Sequence, residues 1–326
     1  MAETTAENGA LRTRPSWQEL PAALRERVSA SIGGPCVGDR AAREGFSAGF
    51  AGRVRTTGGP VLVVFVKAIA ADGHADSLGL YRAEAEALEA LPPGIAPRLL
   101  AWIEIDEGVA LVAEHLAGRQ PGSPWTAAEL DATAACLAEL SATAAPPALM
   151  RASTAPSPGS AAAAGATPAP SRWRAIGADP DLRAGLPPRV RDALDDLVVM
   201  EVEALPGLST GDALCHNDVR ADNLVFDGEA ARLVDWPWAA SGAPWADLPM
   251  LLPSIEAAGG PACEDAWRVF SAHGAPAPRE MLPMIAEAGA YFWSSQAQPE
   301  PAELRGLRAF QRAQARPALR WLDGLL

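Results

Sequence analysis

The stretch from His216 to Trp236 constrains the fold of this chain more than any other. It reads HNDVRADNLVFDGEAARLVDW. Leu224-Val225-Phe226 is an apolar run, Asp227-Gly228-Glu229-Ala230 is a polar turn, and Leu233-Val234 is a second run. Asp-Gly between two apolar runs signals a β-hairpin. Pairing the strands about this turn brings Asn223 close to Asp235 at the open end, with Asp218 on the loop just before. Such oxygen-bearing side chains suit a hard divalent cation such as Mg2+, which keeps its other positions for water and phosphate. A solvated surface hairpin accounts for any one of these residues alone. The joint spacing carries the metal reading: His-x-Asp-x-x-x-x-Asn, strand, turn, strand, Asp.

Lysine usage singles out a second position. Of 27 basic residues, Lys67 is the sole lysine and the rest are arginine. It lies in the apolar run Val61 to Ile69, read as a strand. A chain that uses arginine everywhere else keeps lysine where a compact ammonium is wanted rather than a planar guanidinium. A snorkelling edge-strand lysine is the alternative.

The surrounding pattern is that of a small sheet with one helix, followed by a helical region. Trp17 to Ile32 has helical spacing behind Ser16. Gly45 to Arg55 reads as a hairpin with a glycine-bearing tip, where small residues let backbone N–H groups approach phosphate oxygens. Asp76 to Leu91 is a helix whose apolar stripe includes Tyr81, Ala85 and Leu88. Glu84 falls inside that stripe, Glu86 points away and Glu89 lies at its margin, so the Glu84 carboxylate needs a partner, and Lys67 is the natural one. Leu99 to Ile105 and Val109 to Glu114 complete the sheet. Thr126 to Leu140 and Arg189 to Leu205 read as helices, and 145–171 as a flexible insertion rich in alanine, proline, serine and glycine. The chain enters another helix at about Pro244, and 248–326 looks all helical. Trp267, Trp293 and Trp321 are expected in packing.

These features together resemble the aminoglycoside phosphotransferase and choline kinase group, small-molecule kinases of the protein-kinase-like fold. The resemblance implies an α+β, two-lobed chain: a disordered 1–16, a nucleotide-binding lobe over 17–116, and a catalytic and substrate lobe over 117–326. It implies that Asp218 orients the acceptor hydroxyl and takes its proton, and that Asn223 and Asp235 hold Mg2+. Lys67, fixed by Glu84, grips the α and β phosphates, under a loop with Ser47 at its tip and Gly49 beside it. Glu114 and Leu116 flank the hinge whose backbone meets the nucleobase. Ala113 is small, which leaves GTP open beside ATP. His216 and Asp247 brace the catalytic loop. The short segment after Asp235 disfavours a protein kinase, which needs a longer activation segment.

The function implied is ATP- and Mg2+-dependent phosphorylation of a small-molecule hydroxyl, on an aminoglycoside-like or other antibiotic or a cationic metabolite. A catalytically silent kinase-like protein that binds nucleotide or a partner is the alternative. Retention of Lys67, Glu84, Asp218, Asn223 and Asp235 together argues against it. A net charge of −13 opposes nucleic-acid binding and would steer a cation inward, though it serves solubility equally. The apolar run 61–71 is too short to span a membrane. Four cysteines without paired spacing indicate neither disulfides nor zinc, and no apolar signal core opens the sequence, so a cytoplasmic setting is expected. No feature calls for an obligate protein partner.

Arg220 departs from the group, which often carries histidine or another residue at that place. It either pairs with Asp222 or neutralises charge developing on the transferred phosphate. On the second reading, Arg220→Ala lowers turnover by more than about fivefold in a steady-state transfer assay. A smaller loss would remove Arg220 from the catalytic set.

Overall fold

The computed structural model describes residues 14–41, 49–58, 62–73, 75–150, 171–204, 210–301 and 304–326. The expectations for Ser47, for 1–13 and for 151–170 therefore lie outside the described residues. The chain divides into two compact units. One comprises Met1–Arg82, Leu99–His115 and Glu300–Leu307, the other Ala83–Arg98, Leu116–Pro299 and Arg308–Leu326.

The first unit is built on five antiparallel strands in the order β1-β2-β3-β5-β4. They are β1 (Cys36–Ala41), β2 (Phe50–Thr56), β3 (Val63–Ala70), β4 (Leu99–Ile105) and β5 (Gly108–Glu114). Strand alternation sends Val64, Val66 and Ala68 of β3 to one face, where they pack with Leu24 and Val28 of helix α1 (Ala22–Ser31). The opposite face carries Lys67 and Ile69, and Ile69 packs with Tyr81 of helix α2 (Ala75–Ala90). Both faces of the sheet are thus covered. The expected leading helix is divided: a 3-10 turn over Trp17–Glu19 precedes α1, and Pro21 lies between them. Ser16 caps that turn through a capping box with Glu19. Strand β1 went unread in the sequence, because Cys36-Val37-Gly38 lacks a clear alternation.

The second unit opens with the end of α2 and is mostly helical from α3 (Ala127–Ala142) onward. Among the described residues two strand pairs organise it. β6 (Ala213–Cys215) pairs with β9 (Ala240–Gly242), and β7 (Leu224–Asp227) pairs with β8 (Ala230–Leu233). The bridge Ala144–Ala213 and the Ala145 N–H donating to Asp212 O at 2.7 Å tie 144–145 to β6. A short helix follows over Pro147–Met150. The single helix expected over 189–205 is broken instead into Pro188–Asp192, Leu194–Val199 and a π-turn over Met200–Ala204. Its end is turned to cap a neighbour: Glu201 accepts from Arg172 N (2.7 Å) and Trp173 N (3.1 Å) at the start of the Arg172–Ala178 helix. The helix expected from Pro244 begins at Leu248, because Trp245 holds φ +65 with its N–H on Ser141 Oγ at 2.9 Å. Trp267 and Trp321 are buried with ring centroids 5.3 Å apart, and Trp293 donates to Leu182 O at 3.0 Å. All three are packing residues. No helix among the described residues is long and apolar enough to cross a membrane.

The start of α3 carries a buried charge. Glu129, in a capping box with Thr126, accepts from Gly122 N (2.8 Å), Thr126 N (2.7 Å), Thr126 Oγ1 (2.8 Å) and the Arg119 guanidinium. Burial raises its pKa, but the Arg119, Thr126 and Gly122 bonds win and hold it down to about 2. A carboxyl so depressed contributes stability that is present above the ordinary value of 4.5 and is lost as pH falls through about 2. Glu129→Gln is therefore expected to cost about 2–3 kcal/mol at neutral pH, read from the urea midpoint, and to flatten the acid limb between those two pH values. An unchanged midpoint would mean that these bonds are not stabilising.

Candidate active site

The β7–β8 hairpin closes on Leu224↔Leu233 and Asp227↔Ala230, with Gly228 at φ +62 opening the two-residue loop. This register differs by one residue from the sequence expectation. Beyond the last pair, Val234 N donates to Asn223 O at 3.0 Å, so Asn223 faces Val234 and Asp235 lies one step further along. Asp235 takes φ +69, a left-handed turn that redirects the chain as it leaves the hairpin.

The loop before β7 is fixed by buried hydrogen bonds. Asp247 receives His216 N on Oδ2 (2.8 Å) and Asn217 N on Oδ1 (2.7 Å). Asn217 sits at φ +61, and its Nδ2 donates to Trp238 O at 3.0 Å. Burial pushes the Asp247 carboxyl up to about 6, against the two backbone donors that lower it. His216 is fully buried, with its ring 4.4 Å from that of Trp236. Its Nε2 bonds Val234 O at 3.1 Å and its Nδ1 accepts Asp218 N at 3.2 Å, which places the ring proton on Nε2. His216 thus links the hairpin exit to the backbone of Asp218. Ala221 N, next along, donates to Ser254 Oγ at 3.0 Å.

Asp218 is where these supports converge. Asn223 Nδ2 donates to Asp218 O (2.9 Å) and Oδ2 (3.3 Å), which turns its amide oxygen away from those acceptors. Arg220 Nη1 lies 3.6 Å from Asp218 Oδ1. The Asp218 carboxyl is pushed up to about 7, first by burial, with Arg220 lowering it and Asp235 and Asp222 raising it. Arg220 also grips Asp222 through Nε (3.0 Å) and Nη2 (3.1 Å). Arg220 is therefore paired with Asp222, as one of its two readings has it, and it also faces Asp218.

The donor set fits Mg2+. Two neighbouring carboxylates and an amide oxygen freed from its own amide's hydrogen bonds are hard ligands in a site of concentrated negative charge. No group of three His, Cys, Asp or Glu able to hold a metal occurs among the described residues. Mg2+ asks for only one or two carboxylates, with water and substrate phosphates completing its shell.

In the first unit Lys67 is buried in β3, paired between Ala51 and Leu111. Gly49 is glycine for a packing reason: a Cβ there would sit 2.5 Å from Ala68 O and 2.8 Å from the Tyr81 hydroxyl. Glu114, the last residue of β5, is exposed. In the second unit Glu84 is buried on α2 while Glu86 and Glu89 are exposed, as the stripe predicts. Leu116 is half-buried.

Several supporting residues went unread in the sequence. Arg119 N and O exchange bonds with Phe226 O and N (3.1 and 2.8 Å), and Gln120 Nε2 reaches Asp222 O at 3.1 Å. Gly118 admits this approach, since a Cβ there would lie 2.5 Å from Phe226 O. Phe310 and Tyr291, from two distant helices, stand beside Arg220 and Asp218. No local motif marks any of these. Gly118, a little beyond the end of β5, is the only one with a signal, a glycine where backbones approach.

The sequence matches the phosphotransferase enzyme family over residues 43–284. No curated protein matches it. Among solved structures, a choline kinase from Streptococcus pneumoniae is similar with TM-score 0.54 and 14% identity, over 93% of this chain and 98% of that one. A macrolide 2'-phosphotransferase from Brachybacterium faecium is similar with TM-score 0.50 and 19% identity, over 90% and 97%. A fructosamine-3-kinase homologue from Thermobifida fusca, itself described as putative, gives TM-score 0.50 and 19% identity, over 90% and 99%. At such identities the likeness shows the fold, an α+β kinase-like one.

Asp247→Ala strips two buried N–H groups of their acceptor. It is expected to cost about 2–5 kcal/mol by denaturant unfolding, with Asp247→Asn, which keeps one oxygen, costing less. Equal, small losses would show that the loop does not depend on this carboxylate.

Proposed function

The chain belongs to the phosphotransferase enzyme family, and from that premise we propose that it uses ATP and Mg2+ to phosphorylate a hydroxyl of a small molecule. The observation that carries this reading is Asp218, held at one point by His216, Asn223 and Arg220, with its pKa pushed up to about 7. A base that titrates near the working pH accepts a proton without being permanently protonated or too weak to receive it. The acceptor oxygen bonds to the γ-phosphorus as the bond to the ADP oxygen breaks, and the hydroxyl proton passes to Asp218. Positioning is the larger part of the effect, because a loose phosphoryl-transfer transition state asks little covalent help.

Asn223 and Asp235 would hold Mg2+, which would supply positive charge to offset that of the phosphates. Arg220 faces the developing negative charge of the transferred group. Lys67 and Glu84 take the phosphate-holding roles that the family resemblance implies, with Gly49 near the covering loop and Glu114 and Leu116 at the nucleobase hinge. GTP remains open as a donor. The acceptor proposed is an aminoglycoside-like or other antibiotic, or a cationic metabolite, a choice supported by the charge of −13. A cytoplasmic setting suits it, with ATP at hand and the four cysteines free.

Thermal unfolding with a non-hydrolysable ATP analogue, with and without Mg2+, tests the first step: a rise in Tm that requires the metal is expected. ADP release is then followed with aminoglycosides, macrolides and amino alcohols. Asp218→Asn should keep the Tm shift and lose at least about 100-fold in turnover. Absence of any Mg2+-dependent shift would sink the proposal. A shift with no turnover on any acceptor would favour a catalytically silent nucleotide-binding protein.

A further inference from the structure

Arg220 is held on its edges by carboxylates and lies over the face of an aromatic ring. Nε and Nη2 meet Asp222 at 3.0 and 3.1 Å, and Nη1 faces Asp218 Oδ1 at 3.6 Å. The guanidinium carbon lies 5.1 Å from the ring centroid of Phe310. Phe310 belongs to the Leu307–Leu325 helix, far along the chain from the catalytic loop. We infer that Phe310 is a positioning residue for phosphoryl transfer, which holds the Arg220 guanidinium in the plane that turns Nη1 toward Asp218. The inference rests on the phosphotransferase reading for its chemistry, and on these four distances for its geometry.

The bonds to Asp222 alone leave a freedom that the ring removes. A fork on one carboxylate can still swing about the axis of that pair, carrying Nη1 toward or away from Asp218. A ring in contact with the guanidinium, with the cation over its π face, restricts that swing and shields the pair from water, where a cation over an aromatic gains most. The helix that carries Phe310 is itself anchored beside the site. Gln311 Nε2 bonds the Tyr291 hydroxyl at 3.4 Å, and Arg308 Nη1 bonds Gln311 Oε1 at 2.8 Å. Tyr291 in turn has its ionisation pushed up, first by burial and then by Asp218, which places it in the same field. Phe310 is thus delivered to Arg220 by a helix turn fixed within the catalytic surroundings, and does not reach it as a loose side chain would.

Two readouts test this on the intact protein. The Nε–Hε signal of Arg220, assigned by its loss in Arg220→Lys, is recorded in arginine-labelled protein by NMR, and turnover is measured on the best acceptor. Phe310→Leu keeps an apolar side chain of similar size without a π face. It is expected to move the Arg220 signal and to lower kcat about 5- to 20-fold with the KM for ATP unchanged. Phe310→Trp should restore both. In an Arg220→Ala background, Phe310→Leu should cause no further loss in kcat. The inference is overturned if Phe310→Leu leaves the Arg220 signal in place, or if it costs the same in the Arg220→Ala background, since the ring then acts by packing alone. If the wild-type protein transfers no phosphoryl group to any acceptor, the proposed function fails, while the NMR comparison still decides the placement of Arg220.

Discussion

Both oxygens of one buried carboxylate, Asp247, are spent on the backbone of the loop that precedes β7. The N–H groups of His216 and Asn217 would otherwise be buried donors beside a residue at φ +61. Burial alone would drive a carboxyl toward its neutral form, and the two donors oppose that. The left-handed turn at Asn217 persists because the surrounding bonds over-determine it. Everything downstream inherits that turn: the direction of the His216 ring, the donation of Asp218 N to Nδ1, and the side from which Asn223 reaches Asp218.

The loop is also bound to the hairpin and to the chain that follows β5. His216 Nε2 ends on Val234 O, one residue from Asp235. The segment 118–120 pairs with Phe226 and Asp222 from the other side. Phe226 receives Arg119 on its ring face at 5.6 Å and Trp125 edge-on at 6.3 Å. Glu129, which holds Arg119 and the backbone of 122 and 126, ties the same segment to α3. A chain of satisfied polar contacts therefore runs from α3 through β7 to the loop that precedes it. Preorganisation of this kind lets a positioning site act without reorganising at the moment of transfer.

Much of this was legible in the sequence, for reasons that differ from residue to residue. The hairpin was readable because Asp-Gly between apolar runs has a local cause, and the helical stripe put Glu84 inside and Glu86 outside because period 3.6 leaves little freedom. The register slip at Asn223 and Asp235 was not readable. Two turn lengths share the same residues, and only the observed Gly228-Glu229 loop fixes which strand residues face each other. The 189–205 region failed in a more instructive way. Its periodicity is helical, but Glu201 is required as a cap for Ser171–Trp173, and that tertiary demand overrides local propensity. Phe310 and Tyr291 had no local signal at all, since a side chain brought in by a distant helix leaves no trace in spacing.

The arginine at position 220 shows how the two levels combine. A salt bridge to Asp222 on an exposed surface would be worth little. Here the guanidinium is largely covered, and burial opposes its charge. Asp218, Asp222 and Asp235 together keep it protonated against that cost. The same cation is the strongest force lowering Asp218, whose pKa burial and the nearby carboxylates would otherwise carry higher still. A lysine would supply the charge but not the planar fork that bonds Asp222 along one edge while presenting another nitrogen to Asp218. The preference for arginine throughout this chain is a matter of composition at most positions, but at 220 the geometry makes use of the guanidinium's shape.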